Sequence, residues 1–374
     1  MSHPEIIENC KKIIIKYLFD MIEQPNIVSI ILYGSVSRNE ESYRNVDGKL
    51  YLESDIDVLV VVKNRIDVIN SWIKLKQLCH SVSEELRKKW LLSYVTISVT
   101  TENRLLNARA STFIHHLKHN AKVIFGKELI ALMPDEYKDI APRDLPMMIF
   151  GHMTKLVRTI ALSGIIGEKI SADGYNSILK SIRKLTLFMI RAIIMKDGIP
   201  LNPWNLTEIK AKKSLYQIKN SLIFDDLLKS YDDIKLSDSI KNCSIAELET
   251  RLRKVIEQFN LTIAILAGIN YPFVNLPKKF IFGDVPFIQR LEYSVYILTA
   301  NVRTGWSVGL LRFIIFTLFC PGGIRLRFYD LFISSANLIN PKKEDSNTIN
   351  KQRQTWLKRF EKSLQPWKYD LAKA

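Results

Sequence analysis

Two short stretches in the N-terminal third of the chain carry residue types that are typical of phosphate and metal chemistry. Gly34-Ser35 follows an apolar run at residues 27–32, and Asp55-x-Asp57 opens a second apolar run that ends at residue 62. Both runs are rich in branched apolar residues, which predicts two buried strands. A glycine at a strand end lets a phosphate approach the backbone, and the N–H groups at a helix start attract anions. We therefore predict a phosphate-binding turn upstream of a pair of carboxylates.

The carboxylates are spaced so that they share one side of a strand. Residues two apart in a strand point to the same face, so we expect Glu53, Asp55 and Asp57 to project together. Carboxylates this close repel one another unless a cation lies between them. Mg²⁺ prefers oxygen ligands and binds one or two carboxylates together with substrate phosphates. We predict a Mg²⁺ site at Asp55 and Asp57, with Mn²⁺ as an alternative ion.

Two more residues of the turn are candidates for phosphate binding. The Ser35 hydroxyl is suited to a hydrogen bond with a terminal phosphate, and Arg38 adds positive charge nearby. The competing interpretation is an ordinary strand–turn–strand whose acidic residues are solvated. Gly-Ser and Asp-x-Asp are each common, but their joint occurrence, each beside an apolar strand, favours the phosphate site.

This order of a strand, Gly34-Ser35, a short helix and Asp55-x-Asp57 on the next strand resembles the DNA polymerase β-like nucleotidyltransferase superfamily. The chain looks most like the bacterial minimal and signalling-type members, over about residues 1–130. The resemblance implies Mg²⁺-dependent transfer of a nucleotidyl group from ATP, dATP or another nucleoside triphosphate to a hydroxyl, with release of pyrophosphate. It implies that Ser35 holds the β- and γ-phosphates while Asp55 and Asp57 hold the metal ion.

The chain departs from the family pattern in two places. The segment between Ser35 and Asp55 is longer than usual, and its Asp47-Gly48 pair predicts a β-hairpin beside the site. A third carboxylate is usual on a later strand, where this chain has Thr96, and a neutral hydroxyl is no general base near pH 7. Four interpretations stay open: Glu53 replaces that acid, Asp47 replaces it, two acids suffice, or the protein is not a catalyst.

Hydropathy patterns divide the chain into an α/β part and a helical part. The fold class that we predict is an α/β nucleotidyltransferase core, a mixed sheet with helices, followed by an all-helical second domain. The predicted boundaries are 1–140 for the core, 141–300 for the helical domain and 301–374 for a basic helical C-terminal extension. Continuous helices are predicted at residues 5–22, 66–90, 101–119, 146–162, 171–195, 207–231 and 246–266.

Charge and composition narrow the class of protein. The 374 residues are 47% hydrophobic and 25% charged, which is typical of a globular protein and excludes a disordered one. The formal net charge is +16, and residues 301–374 hold 13 basic and 5 acidic residues. Such an excess favours a nucleic-acid or nucleotide partner, with a merely solubilising basic face as the alternative.

Three further groups of residues have weaker signals. Lys180 and Lys184 lie four apart on a predicted helix, and the family resemblance implies that they contact the triphosphate; a solvated basic face is the alternative. His115, His116 and His119 do not complete a zinc site, so we interpret them as polar residues of a helix surface. The loop at residues 271–282 mixes aromatic residues and lysines, which we interpret as packing rather than nucleic-acid binding.

The location of the protein is predicted from its thiols and its apolar segments. The scattered cysteines lack a Cys-x-x-Cys pattern, and the N-terminus lacks a leader pattern, so we expect reduced thiols and a cytoplasmic protein. The apolar residues 308–320 are too few to span a bilayer, which favours a buried helix over a membrane or partner contact.

The acceptor hydroxyl is not encoded in these motifs. Length and basicity favour an oligonucleotide product or a nucleic-acid acceptor over a small antibiotic. By resemblance, the first hypothesis is a bacterial enzyme that makes an oligonucleotide or nucleotide signal in antiviral defence. A toxin-type enzyme that modifies tRNA or protein is the second hypothesis, and a catalytically inactive nucleotide- or nucleic-acid-binding module is the third.

Overall fold

The structure is a computed structural model, and the residues that it describes fall into two compact units. Described are residues 3–64, 77–108, 111–133, 144–167, 172–199, 202, 204–215, 218, 221–237, 244–267, 321–339 and 346–364. The first unit contains the described residues up to 133, and the second contains those from 144 onward. The predicted 271–282 loop and the apolar residues 308–320 lie outside the described residues.

A four-stranded mixed sheet forms the centre of the first unit. Its strands are β1 Ile27–Tyr33, β4 Ile56–Val62, β5 Val95–Thr101 and β6 Lys122–Gly126. They run in the order β5–β4–β1–β6, in which β1 is antiparallel to both of its neighbours and β4 is parallel to β5. The branched apolar residues of β1 and β4 pack on both faces, as expected for central strands that are covered on both sides.

Helices cover the two faces of this sheet. On one face lie α1 (His3–Met21) and α2 (residues 77–87), and α1 buries the stripe Ile6, Cys10, Ile14 and Leu18 at helical spacing. On the other face lie α3 (Glu102–Leu106) and α4 (Thr112–Asn120), which contribute Leu105, Ile114 and Leu117 to a second core. The predicted mixed sheet with helices is confirmed.

The long segment between Ser35 and Asp55 forms the predicted hairpin. Its strands are β2 (Tyr43–Val46) and β3 (Lys49–Leu52), paired antiparallel. Asp47 and Gly48 occupy the turn with φ of 51° and 78°. Two consecutive left-handed residues match the twist of a tight hairpin, and Asp-Gly adopts this conformation readily.

The edge strand β5 is covered by side chains of α2. The Val95 N–H donates to Ser83 Oγ at 2.9 Å, and the Ile97 N–H donates to Cys79 Sγ at 3.3 Å. Ser83 Oγ in turn donates to the Cys79 carbonyl oxygen at 2.6 Å. Burial raises the pKa of the Cys79 thiol, and it raises the pKa of Cys10 to about 12, so both free thiols stay protonated.

The prediction of one continuous helix over residues 101–119 is wrong. The chain forms α3 and α4 instead, and each begins at its own cap: Thr101 accepts from the Arg104 N–H, and Ser111 accepts from the Ile114 N–H. Ser111 has an extended backbone (φ −155°). Serine competes with helical hydrogen bonding through its own hydroxyl, so it starts a new helix here.

In its described residues, the second unit consists of helices joined by short non-helical segments and contains no strand. Its helices are α5 Asp144–Leu162, α6 Ala172–Lys196, α7 Leu206–Lys212, α8 Ser221–Ser237, α9 Ile245–Ala267, α10 Pro321–Ile339 and α11 Ser346–Leu364. The long helix α6 packs against α5, α8 and α9. The predicted helix at residues 207–231 is in fact α7 and α8, because a 3₁₀ turn at Lys213–Leu215 ends α7.

The last two described helices form a pair that is joined by side-chain hydrogen bonds. Arg353 of α11 donates from Nε and Nη2 to the Leu338 carbonyl oxygen at the end of α10, both at 3.2 Å. A buried cation at a helix C-terminus satisfies a carbonyl and complements the helix dipole. Trp356 donates from Nε1 to the Leu331 carbonyl oxygen at 3.0 Å. Among the helices of the described ranges, none is long and apolar enough to cross a membrane.

Candidate functional site

Gly34 directly follows β1, and the geometry at this position favours glycine. Its φ is +85°, a backbone conformation that side chains rarely adopt. A Cβ atom at this position would lie 2.5 Å from Oδ2 of Asp57. The glycine therefore allows the backbone after β1 to touch the Asp57 carboxylate, and the two predicted motifs meet in the structure.

A single 3₁₀ turn follows Gly34, at the position where the sequence predicts a phosphate-binding turn. The turn spans Val36–Arg38, and Ser35 stands at its N-cap without a side-chain capping bond. The Ser35 carbonyl oxygen accepts from the Arg38 and Glu40 N–H groups at 3.1 and 3.0 Å. The turn is closed by Ser37, whose hydroxyl donates to the Gly34 carbonyl oxygen at 2.9 Å. The Ser35 hydroxyl is thus not used to build the turn.

Asp57 lies at the start of β4, between β1 and β5. Its register partners are Tyr33 on β1 and Thr96 on β5, so its neighbours across the sheet are the residue before Gly34 and the predicted third-acid position. Asp55 comes directly before β4, and the Ser93 hydroxyl donates to its Oδ1. A hydroxyl donor orients a carboxylate without neutralising its charge.

Glu53 is held by the hairpin. Its carboxylate forms an ion pair with the guanidinium of Arg44 in β2, and its N–H donates to the Ser42 carbonyl oxygen at 2.8 Å. Asp47, the other proposed replacement for a third acid, lies at the hairpin turn. A third catalytic carboxylate at either residue stays a prediction.

Thr96 has the position that the sequence predicts. Val95, Ile97 and Val99 are buried in the core on the α1 face, while Thr96 is half-buried on the opposite side of β5. Because Thr96 pairs with Asp57 in parallel register, its hydroxyl and the Asp57 carboxylate project from the same side of the sheet.

Arg38 is held at the site by two partners. Its Nε donates to Glu40 Oε2 at 2.7 Å, and its Nη1 lies 3.4 Å from Nε2 of His116. Its side chain is only 10% exposed. A nearly buried guanidinium beside this turn is a suitable donor for an anionic ligand.

His116 is a residue of this site that sequence reasoning missed. The interpretation of His115 and His116 as surface residues is wrong, since they are 9% and 6% exposed, whereas His119 is exposed. The Gly34 N–H donates to His116 Nε2 at 3.2 Å. The available signal was spacing: His116 follows Phe113 by three residues, which places both on one helix face.

Lys180 and Lys184 lie on α6 in the helical unit. Both are exposed and, at a spacing of four residues, they share one face of the helix. Their predicted contact with a triphosphate stays a prediction. Within the described ranges, no group of three or more His, Cys, Asp or Glu side chains is placed to hold a metal ion.

Comparisons with known proteins add little to this geometry. No family model matches the chain, and no curated protein matches its sequence. Among solved structures, the chain is similar to the spectinomycin adenyltransferase AAD(9) from Enterococcus faecialis, which was crystallised with ATP and spectinomycin. The sequence identity is 16%, the TM-score is 0.39, and the match covers 70% of this chain and 99% of that one. A likeness this distant assigns no activity to the chain.

Proposed function

We propose that this protein is a nucleotidyltransferase, which transfers a nucleotidyl group from a nucleoside triphosphate to a hydroxyl and releases pyrophosphate. One observation carries the proposal: Gly34 brings a phosphate-binding turn so close to Asp57 that even a Cβ atom would collide with its carboxylate. Phosphoryl-type transfer requires little covalent chemistry from a protein beyond positioning and charge neutralisation. A phosphate turn in contact with a carboxylate is suited to both tasks.

The donor set at the site fits Mg²⁺. Asp55 and Asp57 offer carboxylate oxygens, and Mg²⁺ typically combines one or two such groups with substrate phosphates and water. When bound, the ion would neutralise phosphate charge and lower the pKa of an attacking hydroxyl.

The residues of the turn would bind and orient the triphosphate. Ser35 would donate a hydrogen bond from its hydroxyl to a terminal phosphate. The Arg38 guanidinium, which is held in place by Glu40, would contribute positive charge. The Gly34 N–H is already donated to His116, so the backbone donors for phosphate are those that follow Gly34. Asp55, oriented by Ser93, and Asp57 would align the α-phosphate with the acceptor.

The test is a transfer assay with each labelled nucleoside triphosphate in turn. Purified protein is incubated with Mg²⁺ or Mn²⁺, with and without RNA or DNA, and products are separated on a denaturing gel while the protein is weighed intact. Because a metal ion supplies several kcal/mol of transition-state stabilisation, Asp55→Ala/Asp57→Ala should lower turnover by roughly 100-fold or more.

The matched control is Asp20→Asn, which changes an exposed acid on α1 that has no proposed role in the site. It should keep wild-type turnover. Label in a ladder, in added nucleic acid or on the protein would identify the acceptor and separate an oligonucleotide-signal enzyme from a toxin-type enzyme. Activity that survives the double substitution would contradict the proposed site.

A second candidate function is a catalytically inactive module that binds nucleotide or nucleic acid. It is favoured by Thr96 opposite Asp57, since a hydroxyl stands where a third acid is expected, and by Glu53, which is paired with Arg44. This candidate predicts nucleotide binding without any transfer. Under it, the double Asp variant would keep its affinity for nucleic acid.

A further inference from the structure

Two hydrogen-bond donors converge on one ring nitrogen of His116. The Gly34 N–H donates to Nε2 at 3.2 Å, and Nη1 of Arg38 lies 3.4 Å from the same atom. A backbone N–H and a guanidinium can only donate. Nε2 must therefore present its lone pair, which requires a neutral imidazole with its proton on Nδ1.

The imidazole is held in this orientation by its surroundings. The Tyr33 ring meets the His116 ring edge-on, with centroids 6.3 Å apart, and meets the Phe113 ring at 5.6 Å. Ser111 caps α4 five residues before His116 and so fixes where the helix starts. His116 thereby joins α4 to the peptide that directly follows β1, across 82 residues of sequence.

We propose that His116 is a positioning residue of the phosphate-binding turn, an inference that rests on the proposed function. Its acceptor nitrogen fixes the peptide plane between Tyr33 and Gly34, and this plane sets the direction of the backbone that follows. The same nitrogen and Glu40 hold Arg38 from two sides. A triphosphate then meets a turn and a guanidinium that are already ordered, so binding carries less entropic cost.

The Gly34 amide can be observed by itself. Tyr33-Gly34 is the only Tyr-Gly pair in the sequence, so protein labelled with ¹³C-carbonyl tyrosine and ¹⁵N-glycine gives one carbonyl-coupled amide signal. His116→Leu keeps similar bulk but has no acceptor. His116→Gln offers a side-chain oxygen that accepts from both donors at any pH. The other glycine amides, among 14 glycines, report whether each variant is folded.

We expect the Gly34 signal to shift and its hydrogen exchange to accelerate roughly tenfold or more in His116→Leu, and to stay near the wild-type values in His116→Gln. ATP with Mg²⁺, titrated on the same signal, should bind roughly tenfold more weakly to His116→Leu and within about threefold of wild type to His116→Gln. Both readouts are independent of turnover.

The outcomes separate this inference from the proposed function. An unchanged Gly34 signal or an unchanged ATP affinity in folded His116→Leu would overturn the positioning role, even if the wild type transfers nucleotides. A wild type that binds ATP with the expected variant pattern, yet transfers nothing, would support the positioning role and contradict the enzyme. A wild type that binds no nucleoside triphosphate would overturn both.

Discussion

At the scale of single residues, Gly34 combines a backbone constraint with a contact constraint, and a matched glycine separates the two. Gly34→Ala places a methyl group in a left-handed backbone and also against the Asp57 carboxylate. Gly48→Ala adds the same methyl group at a similar φ of +78°, but with nothing within 4 Å of the Cβ. Each substitution should lower the free energy of unfolding by about 1–2 kcal/mol from backbone strain.

Only the first substitution should affect the site. The methyl group that Gly34→Ala adds has to displace the Asp57 carboxylate. We therefore expect Gly34→Ala to lower nucleotidyl transfer by roughly 100-fold, whereas Gly48→Ala keeps wild-type turnover. Steady-state assays of both variants, with denaturation curves for each, measure the two effects. Equal loss of activity in the two variants would show that contact with Asp57 is irrelevant.

The part of the site that could be predicted from the sequence is the part that local chemistry encodes. Gly34 and Asp57 stand at the ends of apolar strands, so residue type and spacing sufficed to bring them together. His116 could not be assigned in this way, because its role depends on how α4 packs against the turn rather than on its neighbours in sequence. The three-residue spacing between Phe113 and His116 predicts that they share one face of α4, but it does not predict which residues that face contacts.

At the scale of secondary-structure elements, the contact between α2 and β5 depends on one hydroxyl. Ser83 is 4% exposed and accepts the Val95 N–H, so Ser83→Ala leaves a buried donor without this acceptor. An unsatisfied buried donor costs about 1–3 kcal/mol. We expect Ser83→Ala to lower the free energy of unfolding by that amount. Unfolding in urea, followed by spectroscopic signals from residues of the first unit, measures this change.

The same substitution two residues earlier on the helix provides the control. Ser81 lies on α2 but is exposed, so Ser81→Ala should change the free energy of unfolding by less than about 0.5 kcal/mol. A Ser83→Ala variant as stable as Ser81→Ala would mean that the Val95 N–H finds another partner.

At this scale the sequence predicts where helices occur, but it does not predict where one helical stretch is divided into two helices. The apolar spacing of α1, α5, α6 and α9 extends over many turns, and their predicted ranges agree with the structure. The predicted helices at 101–119 and 207–231 fail because a periodic pattern continues across short interruptions. The extended backbone at Ser111 precedes the second helix in the first case, and the 3₁₀ turn at Lys213–Leu215 ends α7 in the second.

At the scale of the whole molecule, the net charge is +16, and α11 is one segment in which basic residues are concentrated. Its buried face, Ile349, Trp356 and Phe360, packs inward, while Lys351, Lys358 and Arg359 are exposed. If nucleic acid is a partner, each phosphate contact contributes about 0.9 to the salt dependence of duplex affinity. Reversal of these three cations to Glu should therefore reduce the slope of log affinity against log salt by about two to three.

A second triple variant separates position from charge. Lys12, Lys63 and Lys88 are exposed residues of the first unit, and their reversal to Glu changes the net charge by the same amount. Fluorescence anisotropy with labelled duplex at several salt concentrations compares the two variants. Equal slopes would indicate that the total charge, rather than α11, attracts nucleic acid.

The covered edge of β5 also affects how copies of this protein can meet. An open edge strand is a template on which a strand from another molecule can add, and such addition leads to aggregation. At β5 the N–H groups of Val95 and Ile97 are already donated to Ser83 and Cys79. A foreign strand would have to displace α2 before it could pair there, so the contact that stabilises the core also protects this edge from intermolecular strand addition.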